Sequence, residues 1–223
     1  MLPKPTVTLC GDTLQWMNYI KHLGNYISHD LNEKTEIMKK KCDMIGRVNV
    51  ITANLSGAPP NVRTKVFQTQ CTFYGAQAWC LNDPNVKQFY TMYNRCIRRL
   101  MKLPYATHTR FLEGITGLKN AQDIVATRFV KMFSTMQQTK NSLVQFIAER
   151  GRMCANSIIG SNLRLIKRTY NTDLQTKIKL QSNQCGYKDL MTVQAVKDIL
   201  SGQLPDFFSD NDICIILFEL CVN

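Results

Sequence analysis

The stretch from Pro84 to Pro104, PNVKQFYTMYNRCIRRLMKLP, constrains the fold more than any other part of the chain. Val86, Phe89, Tyr90, Tyr93, Ile97, Leu100 and Met101 fall at steps of three and four. That spacing is the period of about 3.6 residues of a helix that buries one face. Pro84 suits the first helical turn, where a missing N–H costs nothing. Pro104 cannot continue the helix and marks its end just beyond Leu103. The remaining face carries Lys87, Arg95, Arg98, Arg99 and Lys102 without one acid. Such a helix requires a core on one side and favours an anion on the other.

The segments around it predict the company this helix keeps. Residues Pro5 to Cys10 are extended in character and Gly11-Asp12 signals a turn. Thr13 to Tyr19 and Tyr19 to Ser28, broken at Gly24, predict a small hairpin or meander. Two or three short strands are barely stable alone and need something to pack on. A helix is expected from about Glu33 to Asn54, with Ile37, Cys42, Met44, Ile45, Val48, Ile51 and Leu55 as its stripe. Lys39, Lys40, Lys41 and Arg47 lie on it, a run that by itself reads as a solvated face. Gly57 and Pro59-Pro60 separate it from a helix over about Pro60 to Trp79, with Val62, Val66, Phe67, Phe73 and Tyr74 apolar and Arg63 and Lys65 exposed. Gly75 within that stripe predicts close approach of another helix.

After Pro104 the pattern predicts a short helix through Phe111 and Leu112 to Ile115. A longer helix follows, from a cap at Asn120 with Asp123 three residues on, to about Gln138, with Ile124, Val125, Phe129, Met132 and Phe133 inward. A further short helix holds Leu143, Val144, Phe146 and Ile147, with Gly151 as its stop. Helices are expected near Ser161–Tyr170, Met191–Leu200 and Asp212–Leu220. The class expected is mainly α: a helical bundle preceded by a small N-terminal β-hairpin and followed by an irregular helical tail.

Charge narrows the partners. The chain of 223 residues carries a net charge of +12. Residues 31–110 hold 13 basic and 4 acidic side chains, a net of +9, so three quarters of the excess sits in about a third of the chain. A local basic surface favours polyanions, nucleic acid before membrane. Nine cysteines show no CxxC and no Cys/His pair at zinc spacing, their number is odd, and no signal peptide precedes them. They read as small buried hydrophobes in a reducing, intracellular compartment. No apolar run approaches the roughly 18 residues of a membrane span.

Catalytic chemistry finds no constellation. Transfer of a nucleotide requires two metal ions about 4 Å apart held by convergent carboxylates. The acids here are scattered. Asp206, Asp210 and Asp212 are the densest group and read as helix caps. Gly114 and Gly117 lack the context of a phosphate loop. His22, His29 and His108 have no nucleophile in a triad pattern, and His29 and His108 read as surface or capping residues. Binding is what remains. Arg95, Arg98, Arg99 and Lys102 span about 10 Å of one helix, enough for two or three phosphates. Arg63 and Lys65 would extend the track, as would Lys39, Lys40, Arg47, His108 and Arg110. Phe89, Tyr90 and Tyr93 share the apolar stripe and read as core, not as base-stacking platforms.

The order of these features resembles a known family. Lys21-His22-Leu23-Gly24 with Ile27-Ser28 and Asp30-Leu31 is similar to the block that follows the catalytic palm in reverse transcriptases of non-LTR (LINE-type) retrotransposons. Lys65-Val66-Phe67, Cys71, Phe73-Tyr74-Gly75 and Ala78-Trp79 resemble that family's next segment. Asn94-Arg95, Arg98-Arg99, Leu103-Pro104, Thr107-His108 and Leu112 resemble the one after. The resemblance covers about residues 16–118. The departures are His22, where the family commonly has Tyr, and the absence of the paired-aspartate polymerase motif, of the upstream strand Asp and of an endonuclease block. The resemblance implies the end of a palm with a primer-grip-like hairpin over 1–31, a thumb-like helical domain over 32–150 and a C-terminal helical region over 151–223. It implies a chain that holds RNA, an RNA–DNA hybrid or DNA, catalyses nothing alone and carries no cofactor. The magnesium of such an enzyme would belong to a palm, and palm and fingers would be the partners. Two other readings stand beside it: a helical module whose basic face meets an acidic protein, and a degenerate product without a selected function.

Overall fold

The structure, a computed structural model, describes residues 5–30, 32–71 and 73–170. It is mainly helical with a small β element at its N-terminal end. β1 (Val7–Leu9) pairs antiparallel with β2 (Asp12–Leu14), and β3 (Tyr19–His22) with β4 (Asn25–Ser28), as two separate two-stranded sheets. Seven helices follow among the described residues: α1 (Lys34–Asn54), α2 (Pro60–Gln70), α3 (Pro84–Met101), α4 (Thr109–Thr116), α5 (Ala121–Gln138), α6 (Ser142–Met153) and α7 (Ile158–Tyr170). The tail helices expected at 191–200 and 212–220 lie outside the described residues, as do Asp206, Asp210 and Asp212.

α3 is the hub. Val86, Phe89, Tyr93, Cys96, Ile97, Leu100 and Met101 are all buried. They meet α1, α2, α4 and α5. Phe89 and Tyr93 sit in a ring cluster with Phe73, Trp79 and Phe67, at centroid separations of 5.1–5.7 Å in edge-on or tilted arrangements. Asp83 caps the helix by accepting from the Asn85 N–H. At the other end Lys102 takes a left-handed conformation (φ 56°), and the Leu103 N–H closes onto the Arg98 carbonyl at 2.8 Å, so the chain reverses just before Pro104.

α2 departs from expectation in two ways. It ends at Gln70, and residues 73–79 run as an irregular connection with one 3-10 turn at Ala76–Ala78. Gly75 turns that connection with φ 86°. A Cβ there would collide with the Asn25 side chain, so the close neighbour is the β3–β4 hairpin and not a helix. The buried face of α2 is also rotated by one residue: Arg63, Thr64 and Phe67 point inward, while Val62 is exposed. Gly151, expected to end a helix, lies inside α6. There it admits the Ile159 side chain of α7, which a Cβ would displace.

Polar anchors tie the layers together. Glu36 accepts from the Tyr26 N–H at 2.7 Å, fastening β4 to α1. Glu33 accepts from the Cys80 N–H at 2.8 Å, and burial pushes its carboxyl above the usual range. Asn162 is fully buried in α7; it accepts from the Leu81 N–H and donates to the Trp79 carbonyl, both at 2.8 Å. With Leu163 and Ile166 it joins α7 to the same core. Tyr170 donates to the Asp123 carboxylate of α5.

Candidate nucleic-acid interface

The cationic face of α3 divides into two kinds of arginine. Arg95 and Arg99 are exposed. Arg95 lies over the ring of Tyr105, 5.4 Å from its centroid. Arg98 is half-buried, and its Nε donates to the Thr107 carbonyl at 2.8 Å. Burial lowers its pKa and the neighbouring Arg95 adds to that. Arg98 therefore staples the turn after α3, whereas the sequence pattern predicts one exposed strip of Arg95, Arg98 and Arg99. The reason is the tight turn at Lys102–Thr107, which folds back beneath Arg98 and needs a donor for its inward carbonyl. Lys102 is exposed at the helix end. No carboxylate lies within ion-pair distance of Arg95, Arg98, Arg99 or Lys102 among the described residues.

His108 caps α4: its Nδ1 accepts from the Arg110 N–H at 3.3 Å. That bond requires the tautomer with its proton on Nε2. Arg110 lies over the Phe111 ring at 4.7 Å. These residues follow the turn that Arg98 holds, so Arg95, Arg98, Lys102, Tyr105, His108 and Arg110 form one neighbourhood at the α3–α4 corner. Tyr105, 68% exposed, is the member that periodicity missed, because it stands in a loop. Its signal was an aromatic residue between a basic helix end and a histidine.

The α1 cations are mostly engaged internally. Lys39 lies over the Tyr26 ring and Lys40 over the Tyr74 ring, each at 5.7 Å. Lys40 also pairs with Glu36 at 3.5 Å, and Lys41 donates to Gln88 of α3 at 3.3 Å. The lysine run fastens the hairpin, the 73–79 connection and α3 onto α1. Arg47 is exposed beside a small cleft shared with Lys40, Tyr74, Cys71 and Trp79, whose indole N–H has no hydrogen-bond partner. Arg47 lowers and burial raises the Cys71 thiol, and burial wins, pushing it up to about 12. Burial pushes Cys96 up to about 11 against the pull of Arg99.

Lys65 is exposed on α2, but Arg63 is only 2% exposed and belongs to the interior. The rotation of α2 removes it from the track. The structure thus brings Arg95, Arg98, Arg99, Lys102, His108 and Arg110 to the end of α3 and the start of α4, leaves Arg47 and Lys65 as exposed cations on α1 and α2, and binds Lys39 and Lys40 to rings.

No group of three or more His, Cys, Asp or Glu side chains that could hold a metal ion occurs among the described residues. The described acids do not fit a two-metal carboxylate set. No described helix is long and apolar enough to cross a membrane. Comparison of the chain with protein-family models, with curated proteins and with solved structures gives no match.

Proposed function

We propose that this chain binds nucleic acid through the α3–α4 corner, as the thumb-like part of a non-LTR reverse transcriptase whose palm lies outside this sequence. The observation that carries the binding reading is the pairing pattern at that corner. Arg95 and Lys102 are exposed, no described carboxylate neutralises them, and Arg95 is already held in place over Tyr105. Cations kept apart from acids but ordered by an aromatic ring present fixed donors to phosphates at little entropic cost. Arg98 sets the turn that places His108 and Arg110 beside them.

The family part of the proposal rests on the sequence blocks over 16–118 and is supported by the way those residues cooperate. Asn25, which lies within the span of the first block, packs against Gly75 of the second, and the adjacent Tyr26 N–H donates to Glu36 of α1. Arg98 and Thr107 of the third block are hydrogen-bonded. The same reading accounts for the N-terminal sheets, where Leu9, Leu14, Trp16, Met17, Ile20 and Leu23 stay exposed; a palm would cover such a surface. The partners proposed are RNA, RNA–DNA hybrid or DNA duplex, contacted by backbone and not by base edges.

Titration of duplex binding against salt tests the proposal. Binding to several phosphates gives a log–log slope near −0.9 per phosphate on a duplex, and unrelated sequences of equal length should bind alike. Preference for an acidic protein over any duplex at the same salt would move the chain into the class of protein-interaction modules.

A further inference from the structure

A groove of about 400 Å³ runs between α5 and α6 on a part of the molecule that the nucleic-acid reading does not use. Its floor is apolar, with Met132, Met136 and Val144, and its edge carries the exposed cations Arg128 and Lys131. Gln77 also lines it, and the Gln77 Oε1 has no hydrogen-bond partner. Beyond the groove, α6 also leaves Leu143 and Phe146 each 64% exposed and Ile147 47% exposed. Met-rich apolar floors with a charged rim accept amphipathic helices by the spacing of their anchors.

The sequence contains a segment with the complementary character. From Asp198 to Asn223 stand Asp198, Asp206, Asp210, Asp212 and Glu219, and not one lysine or arginine. Ile213, Ile216, Leu217 and Leu220 fall at the three- and four-residue steps of an apolar stripe, with Asp212 and Glu219 beside it. Tyr170 anchors α7 to the helix that walls the groove. Tyr170 donates to Asp123, which lies on α5 about 14 Å along the helix from Met132. Residues 171–205 can extend by up to about 3.3 Å each, so reach does not limit the segment. Tethering so close makes the local concentration high and allows a modest intrinsic affinity to suffice.

We infer that the acidic, apolar segment 206–220 of this chain is the occupant of the α5–α6 groove. The aliphatic stripe would cover Met132, Met136 and Val144, and the carboxylates would meet Lys131 and Arg128. The Gln77 Oε1 would take a donor from the segment. Docking of this kind weakens with salt because the rim charges are exposed.

Photo-crosslinking of the full chain tests the inference. Thr135, which lines the groove, is replaced by benzoylphenylalanine in the otherwise intact protein, and a second variant carries the same group at Val144, so that the test survives if either misfolds. After irradiation at high dilution, mass spectrometry should place the main adduct within residues 198–223 of the same molecule. Lys131→Glu should lower its yield several-fold, and combining Lys131→Glu with Asp210→Lys and Asp212→Lys should restore it. Adducts elsewhere in the chain, a yield that rises with protein concentration, or indifference to Lys131→Glu would overturn the inference. A concentration-dependent adduct would assign the groove to a second copy of the chain.

Discussion

Helices α3 and α6 carry apolar residues at three- and four-residue steps, begin on a side-chain cap from Asp83 and Asn141, and end in a basic last turn. In α3 the apolar face is buried along its whole length. In α6 only Ala148 is buried, and Leu143, Phe146 and Ile147 face outward. The difference lies in what surrounds them. α3 has α1, α2, α4 and α5 to pack against, whereas α6 rests on α5 and α7. A local pattern therefore specifies a helix and its amphipathicity, but the order of elements decides whether the stripe becomes core or surface. α3 with an open cationic face offers a charged site on a rigid support. α6 with an open apolar face offers an adhesive one.

Core truncation should separate the two helices most. Phe89→Ala removes a buried ring that touches Phe73 and Trp79, and should cost about 3–5 kcal/mol in urea unfolding. Phe146→Ala should cost about 1 kcal/mol or less. Equal losses would place α6 in the cooperative core and erase the contrast.

Within α3 the next effect distinguishes neighbours. Arg98→Gln removes the bond from Nε to the Thr107 carbonyl and should cost about 1–2 kcal/mol. Arg99→Gln should stay within about 0.5 kcal/mol by the same unfolding measurement. Thiol labelling sharpens the comparison further. Cys154, exposed at the end of α6, should alkylate early at pH 8. Cys96 of α3 is buried and pushed up to about 11, so it should label slowly and only as the core opens.

The smallest effect belongs to the exposed pair on α6. The Arg152 guanidinium, bonded to Glu149, holds that carboxyl below the usual range. A depressed folded value means that the pair's contribution is present above the unfolded value and lost as pH falls through the folded one. Because the pair is fully exposed and screened, Glu149→Gln should leave the denaturation midpoint unchanged at neutral pH.

Much of this fold was legible in periodicity. The bounds of α1, α3 and α5 follow from it, as do the inward residues of α3 apart from Cys96, which is buried, and Tyr90, which is only partly so; the capping roles of Asn120 and His108 follow from residue type. What escaped has physical causes. Arg63 is buried whole, with its Nε and Nη1 lacking a hydrogen-bond partner, so the face of α2 could not be read from residue type. Lys39 and Lys40 found aromatic rings contributed by Tyr26 and Tyr74, from segments distant in sequence. Asn162 and Glu36 act through backbone partners, which leave no mark in a residue pattern. Tyr105 lies in a loop where no period applies. The candidate site was thus visible as a basic helix, while its division into structural and free arginines needed the turn after Lys102.

The central claim is that the exposed cations Arg95, Arg99 and Lys102 at the end of α3 hold phosphates. Salt dependence of duplex binding by the parent and by an Arg95→Gln, Arg99→Gln, Lys102→Gln variant tests it most directly, because Arg98 is left to support the turn. The account predicts an intact fold, weaker binding to every duplex sequence alike, and a salt slope reduced by up to about three units. A variant that binds as tightly as the parent, with the same slope, would contradict it.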